Sequence, residues 1–467
     1  DAAMAVGVEV TSARGDVRCR AAAGLPQRGH IATGIPFFDH MIDQIVAHGQ
    51  INIDAQVSIG GVDVSADHDY AKPADADAST ALAERAHDRH IFEAVGEAVG
   101  NALLPLLNEA QAELPVVPPS RFLAPLDEAL ARAVLHTGKG ISAQLDYSQA
   151  PFGDFPPGGR QWVGAMKLEL LPIFWSALAR ALSAHLTIGK ERGSNAHHIV
   201  ESSFKAFARA LRQRLDRLAA AKTAAAVATA AAEKATDSTP AMVAAAAASA
   251  AECAALHQPL LWPTSTVARK GERSRSTKET KIDLSLEIDG SGEAECETGL
   301  RMLDEILGCF AQEGGLRLRV KCAGDLHIDD HHTTEDVAIA LGECLATALG
   351  NKAGCNRMGC ATVTLGTACV EAVMDLSNRP HFEHDLRFVD EMVGDVSAEM
   401  LVHAFDSFAT NGRMTLHLVQ RGEAAQVSGR DLACAAARAI GLALKQCAAI
   451  DPRRAGATAS SKGTLAA

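Results

Sequence analysis

The chain has 467 residues, with 44 Lys and Arg against 57 Asp and Glu, for a formal net charge of −13. That length holds a sizeable core and more than one domain, and the acidic balance without a long basic run argues against a generic nucleic-acid or anionic-membrane binder. Eleven cysteines without CxxC pairs read as reduced, mostly buried thiols, and the longest apolar stretch, Ala241 to Leu256, is too short and too rich in Ala to cross a bilayer.

In chain order, Phe38-Asp39-His40-Met41 leads into a helical pattern in which His40, Gln44 and His48 share one face. His48 on that face has packing as its alternative role. Residues 61–86, rich in Asp and Ala and holding a Pro, predict a surface loop. Asp88-Arg89-His90 with Glu93 follows, and then Pro125-Leu126-Asp127-Glu128. His197-His198-Ile199-Val200-Glu201 predicts a helix with two imidazoles and a carboxylate on one patch, since residues three and four apart are helix neighbours. Residues 218–255, dominated by Ala, read as a helical or partly ordered insertion, with a flexible linker as the alternative. Lys281 to Ile288 alternates as a half-buried strand, and Asp289-Gly290 reads as a hairpin-type turn after it. His331-His332-Thr333-Thr334-Glu335 repeats the donor spacing of residues 197–201 and opens a helix that runs to Leu349 and closes at Gly350. Imidazole with carboxylate is a ligand set for a divalent transition metal.

The chain is one unit written twice. An offset of 265 aligns Thr33–His40 with Thr298–Glu305 and His48-Gly49 with Glu313-Gly314. Asp88–Glu93 lines up with Asp330–Glu335, and His197–Glu201 with Gln426–Arg430, in a register fixed by Phe207–Leu211 against Ala436–Ile440. The expected domains are therefore 1–268 and 269–467. Alternating strands and amphipathic helices predict an α/β or α+β sandwich with helices packed on a sheet.

Copy two resembles imidazoleglycerol-phosphate dehydratase of histidine biosynthesis. The resemblance runs through Arg273 to Thr280, Asp329 to Asp336, Asp375-Leu376-Ser377-Asn378-Arg379-Pro380 and Ser460-Ser461-Lys462-Gly463. Copy one is similar through residues 38–41, 125–130 and 195–209. The resemblance implies two similar βαβ-type halves per copy, a large hollow homo-oligomer of about twelve such chains, and manganese sites at subunit interfaces. It implies a small phosphate ester as partner, with neither nucleic acid nor membrane, and a plastid stroma as compartment, the cytoplasm being the alternative.

Neither copy carries the whole expected metal set. His331, His332 and Glu335 are intact in copy two, whereas copy one has Arg89 at the first position. His40, His197, His198 and Glu201 are intact in copy one, whereas copy two has Glu305 and Arg430. A guanidinium stays charged and repels a divalent cation at ligand distance. The losses are complementary, so one class of site is expected to join both intact clusters around two Mn2+ ions, and a second class to hold Arg89 and Arg430 and bind none. His417 and His185 are further ligand candidates at even odds with packing. Glu279, Glu201, Glu335 and Asp127 are the expected proton-transfer or catalytic carboxylates, their roles open between base, acid and ligand. Gln44, Arg357, Arg379, Ser461 and Lys462 are the expected substrate contacts, Arg and Lys serving the phosphate. The competing reading is a catalytically inactive structural or partner-binding homologue on the same scaffold.

Overall fold

The computed structural model describes residues 8–64, 87–111, 118–138, 141–146, 160–233, 245, 268–422, 427–454 and 456–460. The chain divides into two compact units: residues 1–122 with 129–260, and residues 261–467 together with Leu123–Glu128.

One topology recurs four times. In the first half of unit one, strands Val8–Arg14, Val17–Ala23 and Ile53–Ile59 are successively antiparallel. The short strand Ile31–Ala32 lies parallel to Ile53–Ile59, so the helix α1 (Pro36–Gly49) between them is a parallel crossover. Helix α2 (Asp88–Gln111) then returns over the same strands. The second half repeats the plan with strands Ser120–Leu126, Ala129–Thr137, Gln144–Asp146 and Ala184–Arg192 and helices α3 (Leu171–Ala181) and α4 (Ala196–Glu233). Unit two does so twice more. Its helices are α5 (Arg301–Gly314), α6 (His331–Leu349), α7 (Ala398–Asn411) and α8 (Gly429–Ala448).

The alternating pattern of Thr280–Glu287 buries Ile282, Leu284 and Leu286 beneath the helices and leaves Lys281 and Asp283 exposed. Asp289-Gly290 is not a hairpin turn. Strand Ala294–Glu297 lies parallel to Arg317–Gly324 and does not pair with Thr280–Glu287. The hairpin lies instead before that strand, where Thr277-Lys278-Glu279 joins it to the antiparallel Lys270–Ser276. A parallel edge strand outside the hairpin is a tertiary pairing that local turn residues do not specify. The opening of the Ala-rich segment continues α4 unbroken to Glu233. Apart from residue 245, residues 234–255 lie outside the described residues, as do residues 65–86 of the other insertion. Its start forms a two-residue strand, Val62–Asp63, against Ile53–Ile59. No described helix is long and apolar enough to cross a membrane.

In each unit two helices pack side by side and in parallel. In unit two, Glu305 faces Arg430, Glu313 faces Arg438, and further along Gly441 meets Phe310 and Gly314. In unit one, α1 and α4 do the same, with His40 against Glu201 and Gly49 against Ala208. A Cβ on Gly441 would stand 2.5 Å from the Phe310 carbonyl and 2.9 Å from the Gly314 nitrogen. Gly441→Ala is therefore expected to destabilise by about 1–3 kcal/mol. Gly308→Ala, on the open side of α5 with nothing within 4 Å, is expected to be neutral or to stabilise by about 0.5–1 kcal/mol. Urea unfolding of both variants measures the difference, and equal midpoints would contradict this packing.

Candidate metal centres

Unit one brings His40 from α1 together with His197 and Glu201 from the start of α4, their ligand atoms all within 4.8 Å of one another. Glu201 Oε2 lies 3.1 Å from His197 Nε2 and 3.5 Å from His40 Nε2. Its other oxygen accepts from Lys205 Nζ at 2.8 Å, one helical turn further on. Burial opposes the charge on Glu201, but Lys205 and the hydrogen bonds from His197, His40 and Lys205 outweigh it and hold the carboxyl far below the usual range. Glu201 is thus an ionised group, suited to bind a cation or accept a proton. Gln44, fully buried, reaches the His40 ring at 3.2 Å, and Phe37 packs on His197 with ring centroids 4.8 Å apart. His198 stands edge-on to His197 at 6.0 Å and outside the donor group.

Unit two gathers a second group: His331 and Glu335 from the first turn of α6, and His403 from α7. Glu335 Oε1 lies 3.0 Å from His403 Nε2 and its Oε2 3.6 Å from His331 Nε2. His403 is the donor that sequence reasoning missed. It belongs to neither paired motif, and only the packing of α7 on α6 delivers it. Counted back from the left-handed residues that follow α7 and α3, Arg413 and Ser183, its counterpart in unit one is Ile173, which carries no donor. His332 is held apart from this group. Its Nδ1 meets Asp325 at 3.0 Å and its Nε2 lies 3.8 Å from Glu279 in the hairpin turn. The Asp325 hydrogen bond, against a smaller burial effect and aided by Glu279, raises the pKa of this imidazole.

Where a cluster has been lost, an ion pair stands. Arg430 at the Glu201 position clasps Glu305 at the His40 position, with Nε to Oε2 at 3.0 Å and a second, shorter contact through Nη2. In unit one Glu93, at the Glu335 position, lies 3.3 Å from Arg14 and 3.4 Å from Arg180. The substituted Glu305 and the retained Glu93 are thereby both paired with guanidinium groups. His90, beside Arg89, has a buried Nδ1 without a hydrogen-bond partner among the described residues.

The other expected residues divide. Asp127 sits at a left-handed turn position, φ 48°. Its carboxylate meets Arg379 Nε at 3.0 Å, and its carbonyl accepts from the buried His417 Nε2 at 2.7 Å. His417 thus lies outside both donor groups, with one nitrogen committed to the backbone. His185 is a correction. Aligning the left-handed Ser183 with Arg413 puts His185 level with Thr415, and Thr187 level with His417. Its side chain points two residues away from the expected position, and its Nε2 is buried without a partner among the described residues. Arg357, an expected phosphate contact, is enclosed among partners of its own. Its guanidinium is buried against Asp375, Nε to Oδ1 at 2.6 Å and Nη2 to Oδ2 at 2.9 Å, while Nη1 donates to the Ala459 carbonyl at 2.7 Å. It braces the C-terminal segment at Ala459. Lys352, forced to φ 60°, donates to Asn378 Oδ1 at 2.5 Å and to the Leu376 and Arg413 carbonyls, fixing the turn that carries Arg379. Burial pushes the Lys352 amine down to about 8. Ser461 and Lys462 lie outside the described residues.

The model of the imidazoleglycerol-phosphate dehydratase family matches residues 33–211 and again 298–444. A dehydratase of this name from Gloeobacter violaceus is 42% identical over 191 residues, which span 41% of this chain and 95% of that relative. The chloroplastic enzyme of Pisum sativum is 39% identical over 206 residues, 44% of this chain and 71% of the relative. Among solved structures, the dehydratase of Pyrococcus furiosus aligns with 41% of this chain and 99% of its own, at 29% identity and a TM-score of 0.36. Each relative thus spans about one copy.

The buried Arg357–Asp375 pair supplies a direct test of this bracing. Asp375→Ala leaves the guanidinium buried without its carboxylate, at a cost of about 3–5 kcal/mol. Urea unfolding checks this, and a loss below about 1 kcal/mol, the range of an exposed pair, would show that Arg357 has another partner.

Proposed function

Because this chain belongs to the imidazoleglycerol-phosphate dehydratase family, hydro-lyases of histidine biosynthesis, we propose that it dehydrates imidazoleglycerol phosphate at metal sites furnished jointly by its two copies. Copy two gives His331, His332 and Glu335, and copy one gives His40, His197, His198 and Glu201. The observation that carries this reading is the complementary loss. Each copy keeps donors its twin has replaced; in copy two the replacing Arg430 and Glu305 pair with each other, and in copy one the carboxylate near Arg89, Glu93, is paired with Arg14 and Arg180.

The donor sets suit divalent ions. Ligand atoms on opposite sides of an ion bonded at about 2.1–2.2 Å stand about 4.3 Å apart, and each cluster falls within 4.8 Å without an ion to draw it closer. Histidine with carboxylate suits Mn2+, Fe2+ or Zn2+, and two carboxylates with a six-coordinate demand favour Mn2+, two ions per living site. When bound, the ions supply Lewis acidity that stabilises negative charge on the substrate's ring.

The chain's own groups supply the rest. Glu201, held ionised by Lys205 and the two imidazoles, serves as a ligand or base and not as an acid. Glu279, exposed on the hairpin turn beside His332, takes the role of proton carrier to or from the reacting carbon chain. Arg379, oriented by Asp127, grips the phosphate with Arg357, Ser461 and Lys462, and Arg357 also braces the segment leading to the last two through Ala459. We also propose a large homo-oligomer of about twelve chains, since two copies replace two family subunits. A plastid stroma is the proposed compartment, on the chloroplastic names of the plant relatives.

The test combines metal analysis with turnover. About one pair of Mn2+ per chain is expected; about two pairs would contradict a single living class. Chelation should abolish turnover, and added Mn2+ should restore it. His331→Ala is expected to reduce turnover to background, while His90→Ala leaves it nearly unchanged. Comparable losses from the two substitutions would reject the division into living and dead sites.

A further inference from the structure

The parallel helix pair of unit two carries a cysteine pair that nothing in the dehydration uses. Cys309 is the counterpart of Gln44 on α5, and Cys434 the counterpart of Lys205 on α8. They form the rung between the Glu305–Arg430 and Glu313–Arg438 pairs. The flanking pairs set Cys309 and Cys434 opposite each other, and the Cys434 thiol donates to Glu305 Oε1 at 3.7 Å. The backbones of these helices approach closely, as Gly441 against Phe310 shows. That is the setting a disulfide needs, because its two Cβ atoms must come within about 4.5 Å. Both thiols are buried, Cys309 with 8% and Cys434 with 1% of its surface exposed.

We propose that Cys309 and Cys434 are a redox-active dithiol that closes into an interhelical disulfide when a small peroxide reaches it. Cys309 is the attacking group. The hydrogen bond from the Cys434 thiol, supported by Arg438 and opposed by burial, lowers its pKa. The Cys309 thiolate attacks one oxygen of hydrogen peroxide, and the O–O bond breaks. This gives a sulfenic acid on Cys309 and hydroxide, which takes up the proton the thiol gave and leaves as water. Cys434 sulfur then attacks the Cys309 sulfur, its proton passing to the departing hydroxyl, which leaves as a second water. Two thiols are oxidised by two electrons and one peroxide is reduced to two waters. Burial of Cys434 opposite Cys309 favours the disulfide over further oxidation, since the resolving thiol faces the oxidised one. The inference concerns unit two alone and stands whether or not the shared metal sites do.

The experiment treats the full chain with hydrogen peroxide, blocks remaining thiols with N-ethylmaleimide, and digests without reductant. Mass spectrometry is expected to find a peptide joining residues 309 and 434 that vanishes on treatment with dithiothreitol. In Cys434→Ala, Cys309 should proceed to sulfinic acid at the same dose. Its alkylation at neutral pH should slow, by about tenfold for each unit that its pKa rises above the assay pH. Three outcomes overturn the proposal: both cysteines recovered as alkylated thiols while other cysteines oxidise, Cys309 over-oxidised in the unmodified chain without a cross-link, or zinc bound by the purified protein that shields both from alkylation. The first measurement needs no substitution, so a variant that fails to fold leaves the proposal open to refutation.

Discussion

The packing of one amphipathic helix alongside another, in parallel and nearly in register, underlies the chemistry of both units. It sets a residue of the first helix against a residue of the second, turn after turn. In unit one the first rung is His40 against Glu201, and in unit two it is Glu305 against Arg430. The geometry is the same and only the side chains differ. Close approach of the helices requires small residues, and Gly441 against the Phe310 carbonyl is the point where a methyl group has no room. A shift of one residue along either helix would turn a facing pair away by about 100°, since a helix has 3.6 residues per turn.

The same rung therefore carries opposite electrostatics in the two copies. In unit one two imidazoles meet a carboxylate whose other oxygen is held by Lys205, a donor set that leaves nitrogen and oxygen atoms facing one another. A guanidinium and a carboxylate make a closed pair that neutralises itself. Replacing one histidine alone would leave a carboxylate facing a like charge, and replacing one carboxylate alone would leave an Arg facing imidazoles. The paired exchange at Glu305 and Arg430 avoids both costs. In unit one Arg14 and Arg180 perform the same neutralisation on Glu93. At both replaced positions the charged groups thus find partners of opposite sign.

The rest of unit two is organised by buried polar struts. Lys352, Arg357 and Asp375 are almost wholly enclosed, yet each has partners on the backbone or on one another. An enclosed cation is tolerable only with such partners. These struts set the turn at Asn378 and Arg379 and hold the chain at Ala459. The turn that carries Arg379, expected to meet an anion, is accordingly placed by buried partners.

Much of this was readable in the residues alone. The spacing of His331, His332 and Glu335 specifies a helix and a shared face, because a helical period is a local property of the backbone. The 265-residue offset exposed the duplication, and with it the complementary loss of donors. Other features depended on tertiary packing. His403 has no spacing relation to His331 and joins it only because α7 lies on α6. The strand registers, not the sequence, place His185 two residues away from the level of His417 along its sheet. The partners of Arg357 were not legible either, since charge alone does not tell a solvated guanidinium from one folded against Asp375. Local sequence determined which segments coil, which alternate and which donors come in pairs, because these follow from torsion preferences and side-chain period. Only the folded chain decided which distant side chains meet, because that is set by the packing of helices on sheets and leaves no period in the sequence to count.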